Sequence, residues 1–164
     1  MDPAQPQSPQ TAPTVDGPVG LGGWLILPLV GAAITPFTSV VALYPDLSSL
    51  GDVWSLLTGA QKIAIVADVV IKIVGFVVAP VVLLILAAQK LEIFPGLYIV
   101  WSWVAVGIVI ASSIAAWWVF QEQLTADEIF DPQFYRDLGR NLVQAVIWTA
   151  YMNMSKRVEN TFVN

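Results

Sequence analysis

DLGRNLVQAVIWTAYMNMSKRVENTFV, residues Asp137 to Val163, is the stretch whose reading decides the fold. At about 100° per residue of an α-helix, Asp137, Arg140, Asn141, Gln144, Trp148, Tyr151 and Ser155 fall within an arc of roughly 100°. Leu138, Leu142, Val143, Ala145, Val146, Ile147 and Met152 fill most of the remainder. One face is therefore polar and aromatic. Turned to lipid, that face would strand amide and guanidinium groups at a cost on the order of several kcal/mol each, so it is expected to point at other helices or at a water-filled cavity. The rest of the chain is read as its container.

The composition agrees. The 164 residues are 57% hydrophobic and 12% charged, with a mean hydropathy of +0.73, and the apolar runs are long enough to cross a bilayer. The expected fold is all-α, a polytopic membrane protein with four transmembrane helices in an antiparallel bundle. The spans are placed at about 21–44, 63–88, 97–120 and 138–154, with a short interfacial helix between the first and second. Residues 1–19, rich in Pro and Gln, are expected to form a flexible tail, and residues 20–164 the transmembrane domain. That tail has no Lys or Arg before the first span, so it lacks the basic start of a secretory signal.

A net charge of −5, spread without a basic patch, argues against nucleic acid as a partner. The chain has no Cys and no His, which removes disulfides, thiol chemistry, the commonest metal ligand and the commonest general base at neutral pH. No catalytic residue, cofactor site or metal site is assigned. An enzyme would need a nucleophile or metal cluster, and Ser, Asp and Glu stand at no spacing that builds one.

Within the first span, Pro28 and Pro36 each remove a backbone hydrogen bond, freeing the carbonyls of Trp24 and Ala32, with Thr35, Thr38 and Ser39 at hand to replace the donors. Asp46, Ser48, Ser49, Gly51 and Asp52 then read as a turn leading to the interfacial helix. In the second span Asp68 and Lys72, four residues apart, share one helix face in the acid-before-base order that favours a pair. Each alone would cost roughly 2.5–3.5 kcal/mol at a helix centre. They are either a mutually neutralised pair near the helix end or an ion-coupled site deeper in the membrane. Pro80 frees the carbonyl of Phe76. In the third span Trp101 and Trp103 at one end and Trp117 and Trp118 at the other are spaced as two aromatic belts. The loop from Gln121 to Asp137 is acidic, lacks the register of a calcium loop and reads as solvated. Both termini are placed in the cytoplasm, because Lys156 and Arg157 stand together at a helix end.

The chain ends carry a resemblance. Gly20-Leu21-Gly22-Gly23-Trp24-Leu25 followed by Leu27-Pro28, and Ile147-Trp148, Tyr151, Ser155-Lys156-Arg157-Val158 with Thr161-Phe162-Val163, resemble the two signatures of the bacterial family called domain of unknown function 2569. The resemblance implies a small four-helix protein of the bacterial inner membrane and brings no activity, cofactor or catalytic residue with it. The long Pro and Gln tail departs from that pattern. Two functional classes stand on the residues. One is a structural or accessory subunit of a larger membrane complex, with the bilayer and other membrane subunits as partners, through the tail and the helix faces. The other is a small transporter or channel component using Asp68, Lys72 and Arg140. Asn141, Gln144, Trp148 and Tyr151 complete the set of polar residues expected to work between helices or in function.

Overall fold

The computed structural model describes residues 17–163. The expected tail falls almost wholly outside the described residues. A 3-10 turn, Gly23–Leu25, leads into α1 (Ile26–Val53), and a second such turn, Trp54–Leu56, ends it. The chain then returns through α2 (Gly59–Ile73), a π turn (Val74–Val78) and α3 (Ala79–Ala88), which form one continuous rod. Helix α4 (Phe94–Phe120) runs back, the single-turn α5 (Ala126–Ile129) crosses the bundle end, and α6 (Pro132–Met154) and α7 (Lys156–Thr161) complete the chain. No strand occurs among the described residues.

Three helical stretches are long and apolar enough to cross a membrane: Gly23–Leu56, Gly59–Ala88 and Phe94–Phe120. Their outer faces are lipid-like, with Phe37, Val41, Ile63 and Trp118 all more than two-thirds exposed. A contiguous apolar surface of that extent is unsuited to water. Helix α6, at 23 residues, reaches about 35 Å, enough for the ~30 Å hydrocarbon layer, but its charged and amide residues keep it out of the apolar class.

Several boundaries differ from the sequence reading, each for a physical reason. No interfacial helix lies between the first two spans, since α1 continues through Pro45, Ser48 and Gly51 to Val53. The 34-residue stretch Gly23–Leu56 is about 51 Å long, so one end projects beyond the hydrocarbon, and there a polar helix is as comfortable as a turn. Ser48 Oγ donates to the Pro45 carbonyl at 2.9 Å. The stop comes later, at the capping box of α2, where Thr58 N–H donates to Gln61 Oε1 at 2.9 Å and Gln61 N–H to Thr58 Oγ1 at 3.3 Å. Pro28 sits in the first turn of α1, where the helix has no use for its missing N–H. Thr35 and Thr38 spend their hydroxyls on the carbonyls of Gly31 and Thr35, not on that of Ala32.

Helix α6 begins five residues before Asp137. Asp131 is its N-cap, accepting from Phe134 N–H at 2.7 Å, and Pro132 takes the first helical position. The acidic connection is therefore short and ordered. In it Glu128 accepts from the Thr125 N–H and hydroxyl at 2.7 and 2.9 Å, bonds that hold its carboxyl below the usual carboxylate range. This cap is intact above the ordinary glutamate pKa and is lost as pH falls through the lowered one.

The Pro80 effect is shifted by one residue. The backbone just ahead of it is wound as a π turn, with Ala79 N–H donating to the Val74 carbonyl. In that i to i+5 register the carbonyl facing the missing N–H of Pro80 belongs to Gly75, not to Phe76. Trp101 Nε1–H of α4 supplies the replacement at 2.8 Å. The approach is close: a Cβ on Gly75 would fall 2.5 Å from Ile108 Cδ1, so a larger residue there would displace the tip of that side chain. Trp103 likewise bonds Thr149 Oγ1 of α6 at 3.1 Å. These two indoles tie helices together, and only Trp117 and Trp118 remain as exposed aromatics at their end of the helix.

Trp101→Phe keeps the ring and removes the donor to a half-enclosed carbonyl. It is expected to cost about 1–3 kcal/mol, read as a lowered thermal midpoint in mild detergent, while Trp117→Phe leaves the midpoint near wild type.

Candidate functional site

Of the polar residues expected to act together, all but Tyr151 line one of two cavities. The larger, about 560 Å³, lies between α1, α4 and α6 and is bounded by Thr35, Ser39, Ser102, Arg140, Asn141 and Gln144 among others. It exists because α6 packs along α4 while α1 packs on α3 and the π turn, so that α1 and α6 share a floor with little direct contact. The stripe read from the sequence does line this cleft. Asn141 is half-buried in it, whereas Gln144 is exposed at its edge, so the protomer alone does not shield that amide. Arg140 reaches Asp137 at 3.4 Å, with 68% of its side chain exposed, a pair worth about 0–1 kcal/mol. Trp148 and Tyr151 stack edge to face at 6.0 Å and pack against the apolar core, so the stripe is polar toward the acidic loop and structural toward the termini.

The second cavity, about 390 Å³, lies between α1, α2 and α4 and reaches Phe120 and Ile129 at the bundle end that carries the acidic loop. Lys72 Nζ and Asp68 Oδ2 meet there at 2.6 Å, each side chain about a third exposed. The other carboxylate oxygen, Asp68 Oδ1, is buried with no hydrogen-bond partner. Ser112 and Ser113 of α4 share the cavity, and Ser113 donates to the Val109 carbonyl at 3.1 Å. Asp68 lies nine residues beyond Gly59, about 14 Å along the helix.

A third arrangement gives no sign of itself in the sequence. The two ends of the chain clasp one another. Gly20 N–H donates to Thr161 Oγ1 at 2.9 Å, and that hydroxyl donates to the Arg157 carbonyl at 2.6 Å. The Arg157 guanidinium lies over Gly22 and Gly23, where an added Cβ would come within 3.3 Å of it. Gly23 also has φ +63°, which disfavours any other residue. Phe162 stacks on Phe94 at 4.6 Å, and Leu25, Ala87, Phe94, Val158 and Phe162 are all buried. The main apolar core thus sits at the terminal end of the bundle. Among the described residues no three acidic groups come together to hold a metal ion.

An all-helical bundle with three membrane-crossing stretches, polar cavities inside and lipid-like faces outside defines a small polytopic membrane protein. The family model described as Protein of unknown function (DUF2569) matches residues 18–163, and the chain belongs to that family. No curated protein and no solved structure matches the chain. The matched region takes in both partners of the clasp.

If Asp68 and Lys72 hold one another neutral, removing one leaves an uncompensated charge in a poorly hydrated place. Asp68→Asn and Lys72→Met are each expected to lower the thermal midpoint more than the double variant does, as a double-mutant cycle would register.

Proposed function

We propose that the protein is a non-catalytic accessory subunit of a larger assembly in the bacterial inner membrane. Helix α6 is its fourth and polar span, and both termini lie in the cytoplasm. One observation carries this reading: Arg140 and Gln144 are exposed on the protomer although they stand eight and twelve residues into α6, about 12 and 18 Å from its start. In hydrocarbon an isolated guanidinium costs about 2.5–3.5 kcal/mol; the exposed pair with Asp137 leaves most of the Arg140 side chain uncovered and Gln144 has no such pair, so something other than acyl chains covers them. A transmembrane segment of another chain, bearing hydrogen-bonding side chains and seated between α1 and α6, satisfies both groups. Lys90, Lys156 and Arg157 at the terminal end, against Lys62 and Arg136 at the other, support the orientation. A second role, passage of a small ion, is favoured by the Asp68–Lys72 pair because it stands in a cavity and not against packed side chains.

The docking reading is tested by purifying the full chain in a gentle detergent and identifying co-purifying chains by mass spectrometry. A second integral membrane chain is expected in fixed proportion, lost with Gln144→Leu and kept with Val143→Leu. Recovery of the protein by itself, or equal behaviour of the two variants, would contradict it.

A further inference from the structure

The smaller cavity has a floor and a mouth of different chemistry. Gln61 of α2 donates to Gln123, just past the end of α4, at 3.4 Å, and Gly75 of the rod faces Ile108 of α4. Between those two contacts the antiparallel helices run in step, one residue up for one residue down. Lys72 therefore comes level with Ser112 to within about one residue, or ~1.5 Å. Phe120 lies eight residues beyond Ser112, about 12 Å nearer the acidic end, and stands with Ile129 of α5 at the mouth. The walls between, at Leu43, Ile65, Val69 and Ala116, are apolar. At about 390 Å³ the cavity falls in the range of small-molecule sites, about 300–1,000 Å³.

The floor offers donors. Lys72 Nζ has three N–H groups, and among the described residues only Asp68 Oδ2 takes one, at 2.6 Å. Ser112 makes no hydrogen bond among the described residues, and its Oγ is not buried, so that hydroxyl opens into the cavity. Acceptors are scarce by comparison: Asp68 Oδ1 is buried and out of a ligand's reach, and Oδ2 is taken by Lys72. We infer that the smaller cavity binds an uncharged, apolar carbonyl compound, its oxygen accepting from Lys72 and Ser112 and its hydrocarbon lying along the apolar walls toward Phe120. The charge of Lys72 is already balanced by Asp68, so a carboxylate or phosphate would add an unbalanced charge to an apolar pocket, whereas a carbonyl adds none. An ammonium ligand would meet the Lys72 charge with no free carboxylate oxygen to receive it. Acyl chains can fill the walls but leave the donors at the floor without an acceptor. Of the two donors Lys72 is the stronger anchor, because hydrogen bonds from a charged group are roughly twice as strong as neutral ones. This gives the Asp68–Lys72 pair a binding role, and it rests neither on ion passage nor on docking through α6.

The test is photolabelling of the full chain in lipid nanodiscs with benzophenone, an uncharged ketone whose carbonyl carbon, on irradiation, bonds to a nearby carbon as the oxygen takes its hydrogen. One saturable adduct per chain is expected, mapped by mass spectrometry to the neighbourhood of Lys72 or Ser112. The double variant Asp68→Asn with Lys72→Met removes the charged donor without stranding a charge and is expected to raise the half-saturating concentration about tenfold or more. Ser112→Ala raises it several-fold, and Ala116→Leu, which fills the cavity, removes the adduct. Thermal melts show whether each variant is folded, and Ser112→Ala, the loss of one oxygen atom, keeps the test decisive should the double variant not fold. Diphenylmethane, of similar shape but without the carbonyl, is expected to compete at least tenfold more weakly than unlabelled fluorenone. Labelling that never saturates or that scatters over the lipid-facing helix surfaces, equal competition by the two hydrocarbons, or tighter saturation by benzophenone-4-carboxylate than by benzophenone would each overturn the site.

Discussion

Hydrocarbon offers no hydrogen bonds, and the rest of this structure follows from where its polar groups find them instead. An unsatisfied backbone carbonyl or amide inside a bilayer costs on the order of several kcal/mol, so a proline inside a membrane helix sets a problem that a neighbour can solve. Pro80 sets the clearest one. The helix ahead of it widens into a π turn, the stranded carbonyl becomes that of Gly75, and Trp101 reaches across from α4 to bond it. Gly75 leaves room for the tip of Ile108, where the rod and α4 lie close enough for the indole to reach. Backbone chemistry, packing and helix placement are here one constraint seen at three scales.

Side chains obey the same rule with a different outcome. Thr35, Thr38, Ser102 and Ser113 return their hydroxyl protons to carbonyls one turn back in their own helices. They can therefore line a cavity without a partner across it, their remaining lone pairs open to water. Arg140 has only an exposed pair with Asp137, Asn141 and Gln144 have no such local solution, and the bundle gathers the three along one cleft. The clasp of the chain ends stabilises this layout. Packing of Phe162 on Phe94 and of Arg157 over Gly22 and Gly23 fixes the terminal ends of α1, α4 and α6, and the cleft opens between helices held at that end.

Much of this was legible in the sequence. The apolar helices announce themselves by length, α4 starts three residues before its expected position, and the i to i+4 spacing of Asp68 and Lys72 gives the observed pair. The start of α6 was also there to be read, in Asp131-Pro132, an N-cap residue followed by the residue best suited to the first helical position. It is masked by the charge of the surrounding loop. The persistence of α1 past Pro45 and Gly51 is harder, because whether a polar stretch turns or stays helical depends on whether it has left the lipid. What the sequence withholds is long-range. Nothing in Gly20 or Thr161 alone says that residues 141 positions apart share a hydrogen bond. The division of one polar stripe into a packed half at Trp148 and Tyr151 and an open half at Arg140 and Gln144 likewise depends on which helices lie opposite.

The central claim, which rests on the proposed fourth span, is that the polar face of α6 turns into the cleft it shares with α1 and α4, open to water when the protein is alone, and its other faces into lipid. The chain has no cysteine, so single substitutions can be probed one at a time. With the protein alone in liposomes, Gln144→Cys and Ser102→Cys are expected to react readily with a membrane-impermeant, water-soluble thiol reagent, and Val143→Cys and Ile147→Cys to resist it. Equal labelling at all four positions, or faster labelling at Val143 than at Gln144, would contradict the account.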